Sequence, residues 1–520
     1  RIALIYLGLA ITAQAVAVAE AYLTEHVALV ATNRLRADLT QHCLELDLSF
    51  HNEHGPGEMI QRIDGDVARL ANFFSRFLVV LLANGLLLIG VVVVLGTIDV
   101  RLGIGVGVFA VAVLAVLLHL RRIAAPLWER LMVAQADQAS YLEEHLSATE
   151  DLRSSGATEY ASRGFVERAR AVLRREQRAV FVGNSIGALT SALFTIGTAA
   201  ALALAVWLFR RGEITIGTVF LIFMYTQMLA LPIQTIQRQI ADLQAASAAI
   251  HRVYELLDAT PNVVDGPSAE LPAGALSVRF EGVDFRYIEH EPLLRDVSLE
   301  LEAGRVLGVL GRTGSGKTTI SRLLLRFYDP DAGTVRVGDI DVRQPTLAQL
   351  RGRIGLVTQD VQLFHASVRD NLTFFESTIT DTAVESAVRE VGLGDWYDNL
   401  PDGLDTTITS RGTGLSAGEA QLLAFARVFL RNPGLVILDE ATSRLDPVTE
   451  GRVEHAVNRL FEGRTAVVIA HRLRTVLRAD QIAVVDDGAI VEHGDRVTLG
   501  ADPASRFSRL LAAGMEDARS

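Results

Sequence analysis

The sequence predicts an α-helical transmembrane bundle followed by a mixed α/β domain. Three observations carry that expectation. Five uncharged apolar stretches fill the first half of the chain. Arginine gathers in two of the connections between them. Beyond residue 274 the pattern changes to short apolar strands alternating with helices, and a glycine-rich turn there holds the only lysine of the 520 residues.

Bulk properties agree with two unlike halves. The length leaves room for roughly two or three domains. Hydrophobic residues make up 50% of the chain and charged residues 21%, and the apolar excess lies almost wholly before residue 240. The formal charge of −12 argues against nucleic acid as the main partner. Cys43 is the only cysteine, which excludes an intrachain disulfide and a cysteine metal cluster, so it reads as a small buried hydrophobe. The near-absence of lysine beside abundant arginine and alanine points to a GC-rich, bacterial genome.

The apolar stretches are residues 2–19, 77–95, 102–118, 179–209 and 214–237. A helix crosses the hydrocarbon layer with about 20 residues, so 102–118 is the short one. Connections 33–76 and 121–178 hold five and ten arginines, whereas 96–101 and 210–213 hold one and two. Arginine-rich loops stay in the cytoplasm, which places both long connections and the C-terminal half there and makes the chain a multi-pass protein of the cell membrane. Counting back from a cytoplasmic C-terminal half, five spans leave Arg1 outside, so one further span is expected ahead of Ile2. Residues 134–152 and 162–177 read as amphipathic helices continuing the spans into the cytoplasm. The expected domains are a membrane domain at 1–257, a linker at 258–274 broken by Pro261, Pro267 and Pro272, and the α/β domain at 275–520.

In that last domain a strand at 306–310 runs into Gly311, Arg312, Thr313, Gly314, Ser315, Gly316, Lys317 and Thr318, with a helix opening near Thr319. This is the P-loop spacing in its strand–turn–helix context. The glycines let backbone N–H groups close around phosphate oxygens, and a helix N-terminus favours the anion. Lys317 offers a compact point charge to the β- and γ-phosphates, which arginine's planar fork supplies poorly. Thr318 is expected on Mg²⁺. A second strand, 435–438, ends in Asp439 and Glu440, suited to a magnesium contact and to polarising an attacking water; a solvated strand tip has the same appearance. His471 follows a third strand, 466–470. Parallel strands bring their C-terminal ends, where ligands bind, to one side of the sheet.

With these residues in place, 275–520 resembles the nucleotide-binding domain of an ABC transporter. Leu415, Ser416, Ala417, Gly418 and Glu419 resemble the family's LSGGQ signature, and Arg444, Leu445 and Asp446 its D-loop. Gln359 stands where the Q-loop glutamine ligates the metal, His471 matches the switch histidine, and Tyr287 matches the aromatic that stacks on adenine. Upstream, 46–67 and 144–159 resemble the two cytoplasmic loops of ABC exporters, whose short coupling helices dock in a groove on a nucleotide-binding domain. The family has six spans per half, and the five here match the second to the sixth.

The resemblance implies ATP and Mg²⁺ as cofactors, a second half-transporter as partner, and export of an amphipathic drug or lipid powered by hydrolysis. It makes Glu440, His471 and Gln359 catalytic. It puts Tyr287, the loop from Gly311 to Gly316, Lys317, Thr318 and Thr319 on the nucleotide, with Ser416, Gly418 and Asp446 completing a composite site. Thr318, Gln359 and Asp439 become metal contacts. Two departures stand out: Ala417 where the family prefers glycine, and Glu419 where it prefers glutamine. An added methyl and carboxylate at a composite ATP site favour a heterodimer over a homodimer. Soluble ABC ATPases lack the spans, and importers keep spans and ATPase on separate chains. A regulatory half with little turnover and a peptide exporter remain alternatives. Asn84, Asn184, Ser185, Thr195 and Gln227 lie inside spans, either facing a transport cavity or joining helices by hydrogen bonds.

Overall fold

The computed structural model describes residues 2–288, 290–358, 361–408, 415–439, 447–469 and 476–517. The chain forms two units. The first is Arg1–Leu44 with Pro56–Ala259, and the second is Glu45–Gly55 with Thr260–Ser520. The short stretch Glu45–Gly55, numbered among residues expected in the membrane domain, thus groups with the second unit.

The first unit is helical. It contains α1 (Ile2–Glu45), and the second unit's α2 (Leu48–Glu53) follows in the chain. Then come α3 (Pro56–Ile60), a π-helical turn (Gln61–Asp66), α4 (Val67–Asn72), a second π-helical turn (Phe73–Phe77) and α5 (Leu78–Ile98). The remaining helices are α6 (Val100–Ser147), α7 (Thr149–Ser154), α8 (Thr158–Arg210), α9 (Ile216–Met228) and α10 (Ala230–Asp258). Five helical runs among the described residues are long and apolar enough to cross a membrane. At 48 and 53 residues, α6 and α8 reach about 72 and 80 Å at 1.5 Å per residue. That far exceeds the roughly 30 Å of hydrocarbon. The surplus is the amphipathic, arginine-rich sequence, and the short stretch 102–118 is carried within the unbroken α6.

Glycine closes the tight turn between α5 and α6. A Cβ on Gly103 would lie 2.6 Å from the Cα of Gly96, so this approach needs glycine at 103. Asp99 caps α6 by accepting from the Arg101 amide at 2.8 Å. The polar residues within spans bond mostly to their own helices. Asn84, Ser185 and Thr195 donate to the carbonyls of Val80, Phe181 and Ser191 at 2.7, 2.8 and 2.8 Å. Such back-bonding satisfies a hydroxyl or amide in an apolar medium without a neighbouring helix, so these three do not bridge helices as one reading of the sequence expected.

The second unit holds three sheets. β1 (Val278–Ile288), β2 (Glu291–Leu301), β4 (Ala332–Val337) and β5 (Ile340–Asp341) form an antiparallel sheet in the order β2-β1-β4-β5. A six-stranded sheet has the order β12-β11-β3-β10-β9-β6. Its strands are β3 (Val306–Gly311), β6 (Ile354–Val357), β9 (Leu435–Asp439), β10 (Thr465–Ile469), β11 (Gln481–Asp486) and β12 (Ala489–Asp495). All pairings in it are parallel except that of β12 with β11. β3, β9 and β10 are continuous buried apolar runs, as a sheet covered on both faces requires. The helices after β3 are α11 (Lys317–Leu324), α12 (Leu347–Gly352), α13 (Val368–Thr373), α14 (Asp381–Glu390), α15 (Gly394–Asp398), α16 (Ala417–Arg431), α17 (Pro447–Phe461), α18 (Arg496–Ala501) and α19 (Arg506–Asp517). A small pair, β7 (Ala366–Ser367) with β8 (Thr407–Ile408), completes the unit.

Candidate nucleotide-binding site

The turn after β3 is built from backbone that only glycine adopts easily. Gly311, Gly314 and Gly316 have φ of +155°, +83° and +101°. A Cβ on Gly311 would meet the Val485 carbonyl oxygen at 2.2 Å, and one on Gly316 would meet Leu294 Cδ2 at 2.5 Å. The helix that follows begins at Lys317 rather than near Thr319. Lys317 is only 5% exposed, and its Nζ donates to the carbonyls of Gly311 and Arg312, both at 2.8 Å. The ammonium is thereby folded across the loop. Ser315 Oγ is buried without a hydrogen-bond partner among the described residues. A held cation, an orphaned hydroxyl and the positive end of a helix make a cradle that fits a chain of phosphates.

Other parts of the site converge on this loop. Tyr287, at the end of β1, is 41% exposed and set edge-on to Phe285 and Tyr328, with ring centroids 4.8 and 5.1 Å away. Its hydroxyl lies 3.2 Å from Thr319 Oγ1 and accepts from Arg322 at 3.1 Å, so α11 fixes the ring beside the phosphate turn. Thr318 is exposed at the first turn of α11, and Asp439 is partly exposed at the end of β9. A hydroxyl and a carboxylate are the oxygen donors that suit Mg²⁺. Ile469 of β10 is in register with both Val309 and Asp439, so β3, β10 and β9 end side by side. Gln359, Glu440, Asp446 and His471 lie outside the described residues.

Ser416 caps α16. Its Oγ accepts from the Glu419 amide at 3.2 Å, while Glu419 Oε2 accepts from the Ser416 amide at 2.7 Å. This reciprocal capping box satisfies two orphan donors at a helix start. Glu419, which reads in the sequence as a departure, therefore has a local structural role. The Ser-x-x-Glu spacing ahead of an apolar run is the signal that reveals it.

Residues 1–233 match the family model for the ABC transporter transmembrane region, and residues 294–443 match that for the ABC transporter. The "Uncharacterized ABC transporter ATP-binding protein YknV" of Bacillus subtilis is 33% identical over 471 residues, covering 89% of this chain and 76% of that one. This chain belongs to the ABC transporter family. A bacterial Atm1-family ABC exporter solved with ATP bound is similar in structure, with a TM-score of 0.82 at 25% identity, over 94% of this chain and 86% of the other. The "ATP-dependent lipid A-core flippase" of Syntrophus aciditrophicus is 32% identical over 89% of this chain and 77% of its own length. An ABC-type ATPase that binds ATP with Mg²⁺ follows from the matched family and the loop geometry above. It is a multi-pass membrane protein with a cytoplasmic nucleotide-binding domain.

In this ABC transporter chain the short helix α2, from the first cytoplasmic loop, is seated on the nucleotide-binding unit. Leu48 packs on its core, and Asn52 donates to the Tyr328 hydroxyl at 2.8 Å. Asp47 caps α2 and accepts from Ser49 and from the Asn262 amide. Burial pushes the Asp47 carboxyl up, but these hydrogen bonds outweigh it and hold it below the usual range. Asn52 and Tyr328 are 276 positions apart, and no local pattern pairs them.

Arg427 of α16 is a second residue that sequence reasoning missed. It is 8% exposed, and burial depresses its guanidinium to about 10. It donates to the carbonyls of Asn371 at 2.7 Å and Gln362 at 3.0 Å, and lies 4.7 Å over the Phe374 ring. Asn371 in turn donates to the carbonyls of Phe364 and Ser367 at 2.9 and 3.1 Å. The network pins the segment after Gln359 to the helix that starts at the signature. An Arg427→Met variant keeps the volume but leaves the buried Asn371 carbonyl without its donor. It should lose about 1–3 kcal/mol of stability, read as a lowered thermal transition of the purified transporter; an unchanged transition would show that the network contributes nothing.

Proposed function

We propose that this chain is one half of a dimeric exporter that moves an amphipathic drug-like or lipid molecule across the cell membrane, paired with a different half. The observation that carries this reading is the fusion, in one chain, of bilayer-length apolar helices with the Lys317 phosphate cradle. The uncharged apolar stretches supply no counter-charge for a strongly ionic cargo, and the likeness to a lipid A-core flippase supports a lipid class.

Lys317 and the loop from Gly311 to Gly316 hold the β- and γ-phosphates, with Thr319 behind them and Tyr287 stacked on adenine. Thr318, Gln359 and Asp439 would hold Mg²⁺, which would supply positive charge against the phosphates. Glu440 orients the attacking water and takes its proton, while His471 contacts the γ-phosphate. Ser416, Gly418 and Asp446 of one half close over the ATP held by the other. Ala417 and Glu419 crowd and repel at one such closure, which supports two unequal sites and hence a heterodimer. Closing the sandwich is the switch, and the spans are the two-state element it biases.

The test uses the complex purified from native membranes. It should contain a second, related chain; self-association alone would sink the heterodimer. Reconstituted in phosphatidylethanolamine vesicles, it should move a fluorescent short-chain phospholipid between leaflets when given ATP and magnesium. ATP turnover with neither this lipid nor an amphipathic dye moved would remove the proposed cargo class.

A further inference from the structure

The chain passes between its two units three times, at Leu44 to Glu45, Gly55 to Pro56 and Ala259 to Thr260. Inside the first unit, the three segments leading to these crossings are tied to one another. Asp66, in the π-helical turn after the second crossing, has no exposed surface. It accepts from Nε and Nη2 of Arg252, both at 2.7 Å, and from Arg69 at 3.1 Å. Arg252 lies near the end of α10, shortly before the third crossing. Arg36 of α1, ahead of the first crossing, meets Asp64 at 3.0 Å. His42, still closer to that crossing, sets its Nε2 3.1 Å from the carbonyl oxygen of Ala259. Each contact joins a different pair of segments, so the three form a closed triangle.

The members differ in weight. Asp64 is 71% exposed, and a solvated pair contributes little. The Asp66 carboxylate is buried and held by a two-pronged guanidinium, the geometry that gives the strongest charge-assisted bonds. Losing Arg252 would leave the buried carboxylate with Arg69 alone to compensate it. Helix α10 continues into residues 259–277, which carry three prolines and no regular element.

We propose that Asp66 and Arg252 are the principal positioning pair of a collar that makes the three crossing segments turn together, so that ATP-driven closure reaches all the spans in one step. This rests on the exporter reading above. The collar leaves nucleotide binding and basal hydrolysis alone, because none of its residues belongs to the phosphate site; what it governs is the movement obtained per ATP.

The experiment uses the full chain with its copurifying partner in the same phospholipid vesicles. Asp66→Asn and Arg252→Gln should leave the KM for ATP within about twofold while lowering phospholipid moved per ATP by roughly fivefold or more. Asp66→Glu should restore most of that ratio. A proportional fall in movement and hydrolysis, with their ratio intact, would overturn the proposal by showing a merely structural role. A spin label at Thr97, exposed in the last turn of α5, gives a readout independent of cargo. Its response to ATP and magnesium should vanish in Asp66→Asn, and its persistence would equally overturn the collar. Wild-type protein that hydrolyses ATP and shifts the label but moves no phospholipid would defeat only the cargo class, while the label still decides the collar.

Discussion

Replacing Lys317 with alanine should reduce ATP hydrolysis by about 100-fold to 1,000-fold, the usual cost of deleting one preorganised charge at a reacting phosphate. The ammonium is 5% exposed and anchored to two carbonyls of its own loop, so it is already positioned before phosphate arrives. Alanine removes the charge and frees those carbonyls. Lysine-to-arginine is the sharper test. The chain uses arginine at every other basic position except histidine, yet Lys317→Arg should recover little activity. A planar fork is wider than an ammonium, and the turn is closed by Gly311 and Gly316, whose surroundings leave no room for even a methyl group. Phosphate release and binding of a fluorescent ATP analogue, measured on the reconstituted transporter, check both variants. Activity within twofold of wild type for the arginine variant would refute the argument from shape.

Glu440→Gln should separate binding from turnover. A carboxamide of the same size cannot take the proton of the attacking water, so hydrolysis should fall by about 100-fold to 10,000-fold. Affinity for ATP should persist, because the phosphate grip is made by Lys317 and the glycine turn. Asp439 ends β9 beside β10, and Glu440 is the next residue in the sequence. Single-turnover hydrolysis and equilibrium nucleotide binding read the two quantities apart. Unaltered turnover would remove Glu440 from its proposed role, and a regulatory half with little turnover would then explain the chain better.

Much of the fold was legible before any coordinates. Uncharged stretches located the membrane-crossing helices because a bilayer tolerates few other sequences. The loop carrying Lys317 was legible because its conformation is local: glycine spacing, a buried strand before it and a helix after it. That β3, β9 and β10 end on one side of a parallel sheet follows from strand–helix alternation, whereas their order β3-β10-β9 does not. The helix start was placed slightly late, since a P-loop lysine sits where turn and helix overlap. Ser416 with Glu419 was legible in principle and was read only as a departure from a signature, although the same four residues spell a capping box.

What sequence determined on its own were properties with a short range: which segments suit hydrocarbon, where the backbone must turn through glycine, and where a phosphate-loop spacing lies between a strand and a helix. Tertiary structure alone decided the pairings over long separations. Asn52 found Tyr328, Arg427 found Asn371, and Asp66 found Arg252 across 276, 56 and 186 positions. The physical reason is that a buried polar group needs a partner but does not specify which one. Only the packed fold brings one candidate within hydrogen-bond reach and excludes the rest.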